Sequence, residues 1–318
     1  VIRSSRKEGT KMNQVIEETK IWQMMGTTIT LQVGHEEPSR LLAELGEWLH
    51  VYEHRFSAHD ATSELMAINQ AAGRQAVIVH PELFELIKLG KAHSCARNSY
   101  LNIAIGPVVQ KWHIGFEDAL VPTKAEITEL LLLTDPHQIQ LDEKMKTVFL
   151  TKPGMMIDLG ALAKGYIADK LITHCRERNA AFALVNLGGN IVVFGESPRR
   201  SDGAWRIGLR NPKGSREESL AVVKLSNQSL VTSGIYERYL QNGSSVYHHI
   251  IDPKTGFPVK NDVASLTILS DSSVDGEIWT TRLFGASSLE VLKALEEQPG
   301  IEGAVVTKEN QFLYTKGF

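Results

Sequence analysis

Apolar and polar residues alternate along 28–33, where Ile29, Leu31 and Val33 interleave with Thr28, Thr30 and Gln32. This period of two predicts a half-buried strand in a segment that becomes strand-like from Ile21. Over 39–56 the period lengthens. Leu41, Leu42, Leu45, Trp48, Leu49, Tyr52 and Phe56 fall on one side of a predicted amphipathic helix. A second helix is predicted after Pro81. A third begins at Thr123, which forms a capping-box pair with Glu126, and Ser287 with Glu290 repeats that pattern before a helix near the end. Segments 205–210, 220–225, 246–251, 262–270, 302–307 and 311–315 read as strands.

Strands and helices follow one another in mixed order rather than in strict βαβ alternation. The predicted fold class is therefore α+β, with mixed sheets and packed helices in two interleaved lobes. No internal repeat, low-complexity run or long Pro/Gly/Ser linker divides the chain. Residues 1–20 read as a flexible tail and 21–318 as a single domain.

Composition narrows the class. The 318 residues are 42% hydrophobic and 22% charged, as in an ordinary globular enzyme. A net charge of −3 with no basic block excludes a nucleic-acid footprint. Cys95 and Cys175 are far apart and outside any CxxC pair, so they read as inert thiols. The most apolar stretch, 180–195, is interrupted by Asn186, Asn190 and glycines, which is wrong for a bilayer helix. The polar start VIRSSRKEGTK lacks the apolar region of a secretory signal. Met12 is a plausible natural start, from which a cytoplasmic location is expected; a trimmed export signal before Val1 would place the protein elsewhere.

Four short segments carry chemistry. Asp158-Leu159-Gly160-Ala161-Leu162-Ala163-Lys164-Gly165 leads into a helix-like stretch. Small residues before a helix let backbone amides approach an anion, and Lys164 adds a mobile positive charge; a close-packed turn with a solvated Lys164 is the plainer alternative. Neither GxxxxGK[ST] nor GxGxxG is present, so a nucleotide would be held by another device. Asn186-Leu187-Gly188-Gly189-Asn190 suits positive φ at a strand end, as a ligand-proximal loop or an ordinary turn. Tyr247 to Ile251 reads as a strand closed by an Asp-Pro-Lys-Thr-Gly turn, on which His248 and His249 face opposite ways, so that one can face a site while the other does not; two histidines without a functional role are the plainer alternative. Finally, a helix from about Gly276 would put Glu277 and Thr281 on one face, two hard oxygen donors of the kind magnesium takes. The alternative there has Asp275 as an N-cap and Glu277 as a dipole-favoured first-turn carboxylate.

Together and in order, these segments resemble the ApbE family of FAD:protein FMN transferases. The resemblance is carried by Met25-Gly26-Thr27, by Phe56-Ser57-Ala58-His59 with Ser63-Glu64 and Asn69, and by Gly106-Pro107-Val108-Val109 with Trp112. It continues through Asp158–Gly165, Asn186–Asn190, Thr232-Ser233-Gly234-Ile235-Tyr236 and the His249–Gly256 segment, and it covers about residues 21–285. It implies an α+β enzyme that binds FAD as substrate, with magnesium at the diphosphate. By position it assigns Met25 and His59 to the adenine side and Tyr100, Leu101 and Asn102 to the flavin nucleotide. Asp158 and Lys164 would hold FAD, His249 and Ile250 would border the reacting phosphate, and the Ala161 carbonyl, Glu277 and Thr281 would hold the metal. Glu277 stands where the family has Asp, which keeps Asp275 as a rival; His59 replaces Tyr or Trp, and Asn102 replaces Asp.

The resemblance further implies transfer of FMN to a Thr or Ser hydroxyl of an acceptor protein with an FMN-binding domain, with release of AMP. His249 is the candidate base and Lys164 the assisting cation. The same site with water as nucleophile would be an FAD diphosphatase, and without turnover a flavin-binding protein. Many family members are exported and membrane-associated, which is the expectation if Met12 is not the start.

Overall fold

The structure, a computed structural model, describes residues 14–212, 214 and 218–318. The first part of the chain forms β1 (Ile16–Met24), β2 (Thr27–His35), α1 (Pro38–Phe56), α2 (Glu64–Gln70), β3 (Val77–Ile78), α3 (Pro81–Ser94), α4 (Gly106–Trp112) and α5 (Lys124–Leu131). The middle forms β4 (Ile139–Asp142), β5 (Thr147–Leu150), α6 (Ala163–Glu177), β6 (Phe182–Leu187), β7 (Asn190–Phe194), β8 (Trp205–Arg210) and β9 (Ser219–Leu225). The last part forms β10 (Ser229–Gly234), β11 (Tyr239–Asn242), β12 (Ser245–His248), β13 (Val263–Ser270), α7 (Ser273–Leu283), α8 (Ser288–Glu296), β14 (Glu302–Thr307) and β15 (Phe312–Tyr314).

One sheet organises the fold. Its eight strands run in the order β1-β2-β6-β7-β10-β13-β14-β15, and every neighbouring pair is antiparallel. The alternation in β2 works as the pattern predicts: Ile29, Leu31 and Val33 are buried under α1 and α6. Of the apolar stripe on α1, only Trp48 is exposed, at 38%, and it stacks on Tyr52. Elsewhere on the sheet, the β8–β9 hairpin packs Trp205, Leu209 and Leu225 onto Phe182, Val193 and Leu230. α8 closes the far end by packing Val291 and Leu295 onto Leu266, Ile268 and Val305. Both capping boxes form, at Thr123 and at Ser287. The helices and strands are mixed as expected of an α+β fold.

Three boundaries differ from the pattern. β1 starts at Ile16, so 16–20 are sheet rather than tail; their register against 31–35 of β2 supplies the hydrogen bonds that their polar side chains did not advertise. Residues 1–13 of the expected tail lie outside the described residues. β12 ends at His248 rather than Ile251: the His249 amide still bonds the Arg238 carbonyl, but beyond it Ile250 and Ile251 pair with Val259 and Pro258 instead of with β11. α7 begins at Ser273, three residues before Gly276, with Ser272 as the N-cap in place of Asp275. Among the described residues no helix is long and apolar enough to cross a membrane. Cys95 and Cys175 are free thiols, and burial pushes that of Cys175 up to about 12, which keeps it protonated and inert.

Candidate active site

α6 packs on α7 and α7 on β10, and a glycine at each contact lets them do so. A β-carbon on Gly165 would lie 2.5 Å from the Ser273 carbonyl oxygen, and one on Gly276 would lie 2.5 Å from Cγ2 of Val231 in β10. Gly165 therefore serves close packing of helix on helix, and Gly276 that of helix on sheet. The crossing is clamped at its far side by Asp169 of α6, whose two carboxylate oxygens accept the Ser273 and Val274 amides at 2.7 and 2.9 Å. Burial pushes Asp169 up to about 6, against the pull of those two amides.

This crossing brings Lys164, in the first turn of α6, to Glu277 in α7. Its Nζ donates to Glu277 Oε1 at 2.8 Å and to the Gly160 carbonyl at 3.4 Å. The same Oε1 accepts the side-chain amide of Asn190 at 2.6 Å. The Glu277 side chain is only 5% exposed, so a carboxylate here requires these partners. Thr281, one turn further along α7, lines the same cleft as Glu277, Ala161 and Lys164. The i, i+4 reading of Glu277 and Thr281 thus places both on the face of α7 that the cleft uses. Asp275 does not line it. Its Oδ2 accepts the Ser272 hydroxyl at 2.6 Å, so this rival carboxylate is spent on the start of the helix.

The cleft encloses about 260 Å³. Its second wall is the 249–253 segment, held by a small core of its own. Trp112 of α4 donates its indole N–H to the Gly256 carbonyl at 2.8 Å and packs on Tyr247 and Phe257. Gly256 has φ +69°, and a β-carbon on it would strike Ile127 of α5. The Gly106–Trp112 and His249–Gly256 segments, far apart in the chain, are therefore one structural unit. His249 and Ile250 line the cleft, whereas His248 turns away and bonds the Val259 carbonyl through Nε2 at 3.0 Å. His249 Nδ1 meets the Arg238 carbonyl at 3.0 Å. A carbonyl only accepts, so Nδ1 carries the proton and Nε2 is left with its lone pair. Burial in the cleft pushes the His249 pKa down to about 4; the carbonyl bond opposes this, and the Arg238, His248 and Lys164 charges reinforce it. The ring is neutral near pH 7 and able to accept a proton there.

Tyr100, Leu101, Asn102, His59 and Asp158 also line the cleft. The Tyr100 ring lies over the bare α-carbon of Gly285, and Lys254 Nζ stands 5.2 Å from its centroid. Leu101 is fully buried and part of the main core. Asn102 spends its side chain on the Thr134 carbonyl and the Ala104 amide, which pins its loop. Asp158 accepts the Gly160 amide at 2.7 Å. Met25 is the one expected residue that does not line the cleft. It occupies the β1–β2 turn at φ +54° with its amide on Glu53, and only the next carbonyl, that of Gly26, reaches a cleft residue, Arg238.

Four contributors had no site role assigned from the chain, although Asn190 belongs to a marked segment. Arg238 brings a second cation to the cleft and supplies the carbonyl that orients His249. His113 and Phe116 stack on each other at 4.0 Å, and Phe116 lies 4.9 Å from His59, making an aromatic rim. Asn190 reaches Glu277 from the first residue of β7. Their positions offered a weak signal, since each lies in or just beyond a segment already marked: 232–236, Trp112 and 186–190.

The donor set fits a hard divalent cation. Among the described residues, neither the Ala161 carbonyl, nor the Thr281 hydroxyl, nor Oε2 of Glu277 carries a hydrogen bond. All three are oxygens and belong to one cleft. No group of three His, Cys, Asp or Glu side chains able to hold a metal occurs among the described residues, so a cation here would be shared with substrate oxygens.

Comparison with known proteins gives a consistent result. The model of the ApbE family matches residues 25–305. The FAD:protein FMN transferase of Klebsiella pneumoniae (strain 342) is 40% identical over 291 residues, which span 91% of this chain and 89% of that protein. The FAD:protein FMN transferase of Treponema pallidum (strain Nichols) is 33% identical over 309 residues, 92% of this chain and 85% of that one. The crystal structure of the ApbE protein of Thermotoga maritima superposes with a TM-score of 0.87 at 26% identity, covering 95% of this chain and 98% of that one.

Proposed function

Because the chain belongs to the ApbE family, we propose that it is an FAD:protein FMN transferase, which moves FMN from FAD to a Thr or Ser hydroxyl of an acceptor flavoprotein and releases AMP. The observation that carries this reading is the convergence, in one cleft, of a neutral histidine with a free Nε2, two cations and three unspent oxygens.

A hydroxyl is a weak nucleophile at neutral pH and requires a base within reach. His249 Nε2 takes the hydroxyl proton as the oxygen attacks the FMN-side phosphorus. A P–O bond to the acceptor forms, the P–O bond to AMP breaks, and the electron pair leaves on the AMP phosphate. Lys164 and Arg238 offset the negative charge of the diphosphate, and the Arg238 carbonyl keeps the imidazole in the required tautomer. The Ala161 carbonyl, Glu277 and Thr281 would hold magnesium, which supplies charge neutralisation at the phosphate oxygens. Tyr100 offers an aromatic face to the flavin nucleotide, and His59 with Phe116 offers another to the adenine side.

The test is incubation with FAD and magnesium, with and without an FMN-binding domain, following acceptor mass and released AMP. Expected is a mass gain equal to FMN, dependent on magnesium and matched by AMP. AMP with free FMN and an unmodified acceptor would replace the reading with that of a diphosphatase. Intact bound FAD with no product would replace it with that of a flavin carrier.

A further inference from the structure

We propose that Asn190 is the positioning residue for Glu277: it holds the inner carboxylate oxygen so that the outer one faces a divalent cation, while Lys164 is an exchangeable partner on that same inner oxygen. The proposal rests on the reading of Glu277 as a metal ligand.

The two donors to Oε1 are unlike in freedom. Asn190 is 2% exposed and opens β7, paired to Leu187 in β6 and to Val231 in β10. The two-residue turn before it has Gly188 at φ +62° and Gly189 at φ +99°, and the Gly189 amide is tied to Asn186 Oδ1 at 2.9 Å. Backbone on both sides thus fixes where the Asn190 amide points. The group facing the carboxylate must be its NH2, since an amide oxygen there would repel Oε1. Lys164 instead reaches Oε1 through a long flexible side chain that is 28% exposed, and its one other hydrogen bond among the described residues is the 3.4 Å bond to Gly160. It can leave for the phosphate oxygens of a nucleotide once a divalent cation replaces its charge at Glu277, whereas Asn190 cannot follow.

With two donors on Oε1, that oxygen is saturated, and Oε2 carries the lone pairs still available. The extra reach of a glutamate is taken up by packing: its Cγ lies where a β-carbon on Gly165 would come within 2.8 Å. Without Asn190 the carboxylate could rotate about χ3 and turn either oxygen to Lys164. Partners that orient a ligand in this way are worth about 10- to 100-fold in metal affinity.

The test uses the full chain and Mn2+ alone, without nucleotide, with free Mn2+ read by EPR. Wild type is expected to bind saturably and Glu277→Ala to lose that binding. Asn190→Ala should weaken Mn2+ binding by about 10-fold or more, and Asn190→Ser, whose hydroxyl is too short to span the contact, should do the same if the alanine variant does not fold. Lys164→Met should bind Mn2+ at least as tightly as wild type, because a competing charge is gone. A general loss of structure would weaken both variants, so the opposite signs separate positioning from damage. Asn190 variants that are folded and bind within twofold of wild type, while Glu277→Ala does not bind, overturn the role of Asn190. A Lys164→Met protein weakened as much as Asn190→Ala overturns the exchange. Absence of saturable binding by wild type, or unchanged binding by Glu277→Ala, overturns the metal reading itself and this proposal with it.

Discussion

The Glu277 side chain lies across the bare α-carbon of Gly165, with its Cγ 2.8 Å from where a β-carbon would stand. That contact sets how closely α6 and α7 cross, and so whether Lys164 and the oxygens of α7 face one cleft. Gly165→Ala would push on both Glu277 and the Ser273 backbone. Overpacking of this kind costs about 1–3 kcal/mol. Thermal unfolding should show the loss, and FMN transfer should fall further than the stability change alone explains, because the displaced atom belongs to the site. An alanine variant with wild-type stability and turnover would mean that the crossing yields easily.

His249→Ala removes the cleft imidazole proposed to take the acceptor proton. Turnover should fall by about 10²- to 10⁴-fold, with FAD affinity changed far less. The two are separated by comparing acceptor modification with FAD binding by fluorescence. Turnover unchanged in this variant would remove His249 from the chemistry.

Metal dependence should follow Glu277 and ignore Asp275. Glu277→Ala deletes the proposed ligand oxygen and strands Lys164 and Asn190, so the magnesium response should vanish and stability should drop. Asp275→Asn keeps the start of α7 nearly isosteric and should leave the magnesium titration where it is, since Asp275 is bonded to Ser272. A shifted titration in Asp275→Asn with a normal one in Glu277→Ala would exchange the two assignments.

Stability against pH has two opposed contributions. His249 titrates near 4 in the fold against 6.5 unfolded, so the unfolded chain binds more protons in that window and stability falls as pH drops through it. Asp169 titrates near 6 in the fold against 3.8 unfolded, so its contribution is fully present below 3.8 and is lost as pH rises through 6. Each is worth at most about 3 kcal/mol, and they largely cancel between 4 and 6. Denaturant unfolding of wild type should therefore change little across that window from these two groups. In His249→Ala the Asp169 contribution is left alone, and stability should rise on acidification relative to wild type over the same range. The reverse slope would contradict the neutral, buried state of His249.

Much of the outline was legible in the chain because it depends on neighbours in sequence. The period of β2, the apolar face of α1 and the capping boxes at Thr123 and Ser287 are local patterns, and local hydrogen bonding and burial enforce them. The order of the short motifs likewise pointed to the family, and Lys164, His249, Glu277 and Thr281 do line one cleft. What no local pattern contains is the choice between equivalent groups. Asp275 and Glu277 are both carboxylates near one helix start, and the N-cap at Ser272 spends the first while Asn190, 87 residues away, holds the second. His248 and His249 are chemically alike until the Arg238 and Val259 carbonyls take a different nitrogen of each ring. The polar strand over 16–20 was hidden for the same reason, since its hydrogen bonds come from β2 rather than from its own side chains. Residue type sets what a group can do; partners brought from distant elements set which group is free to do it.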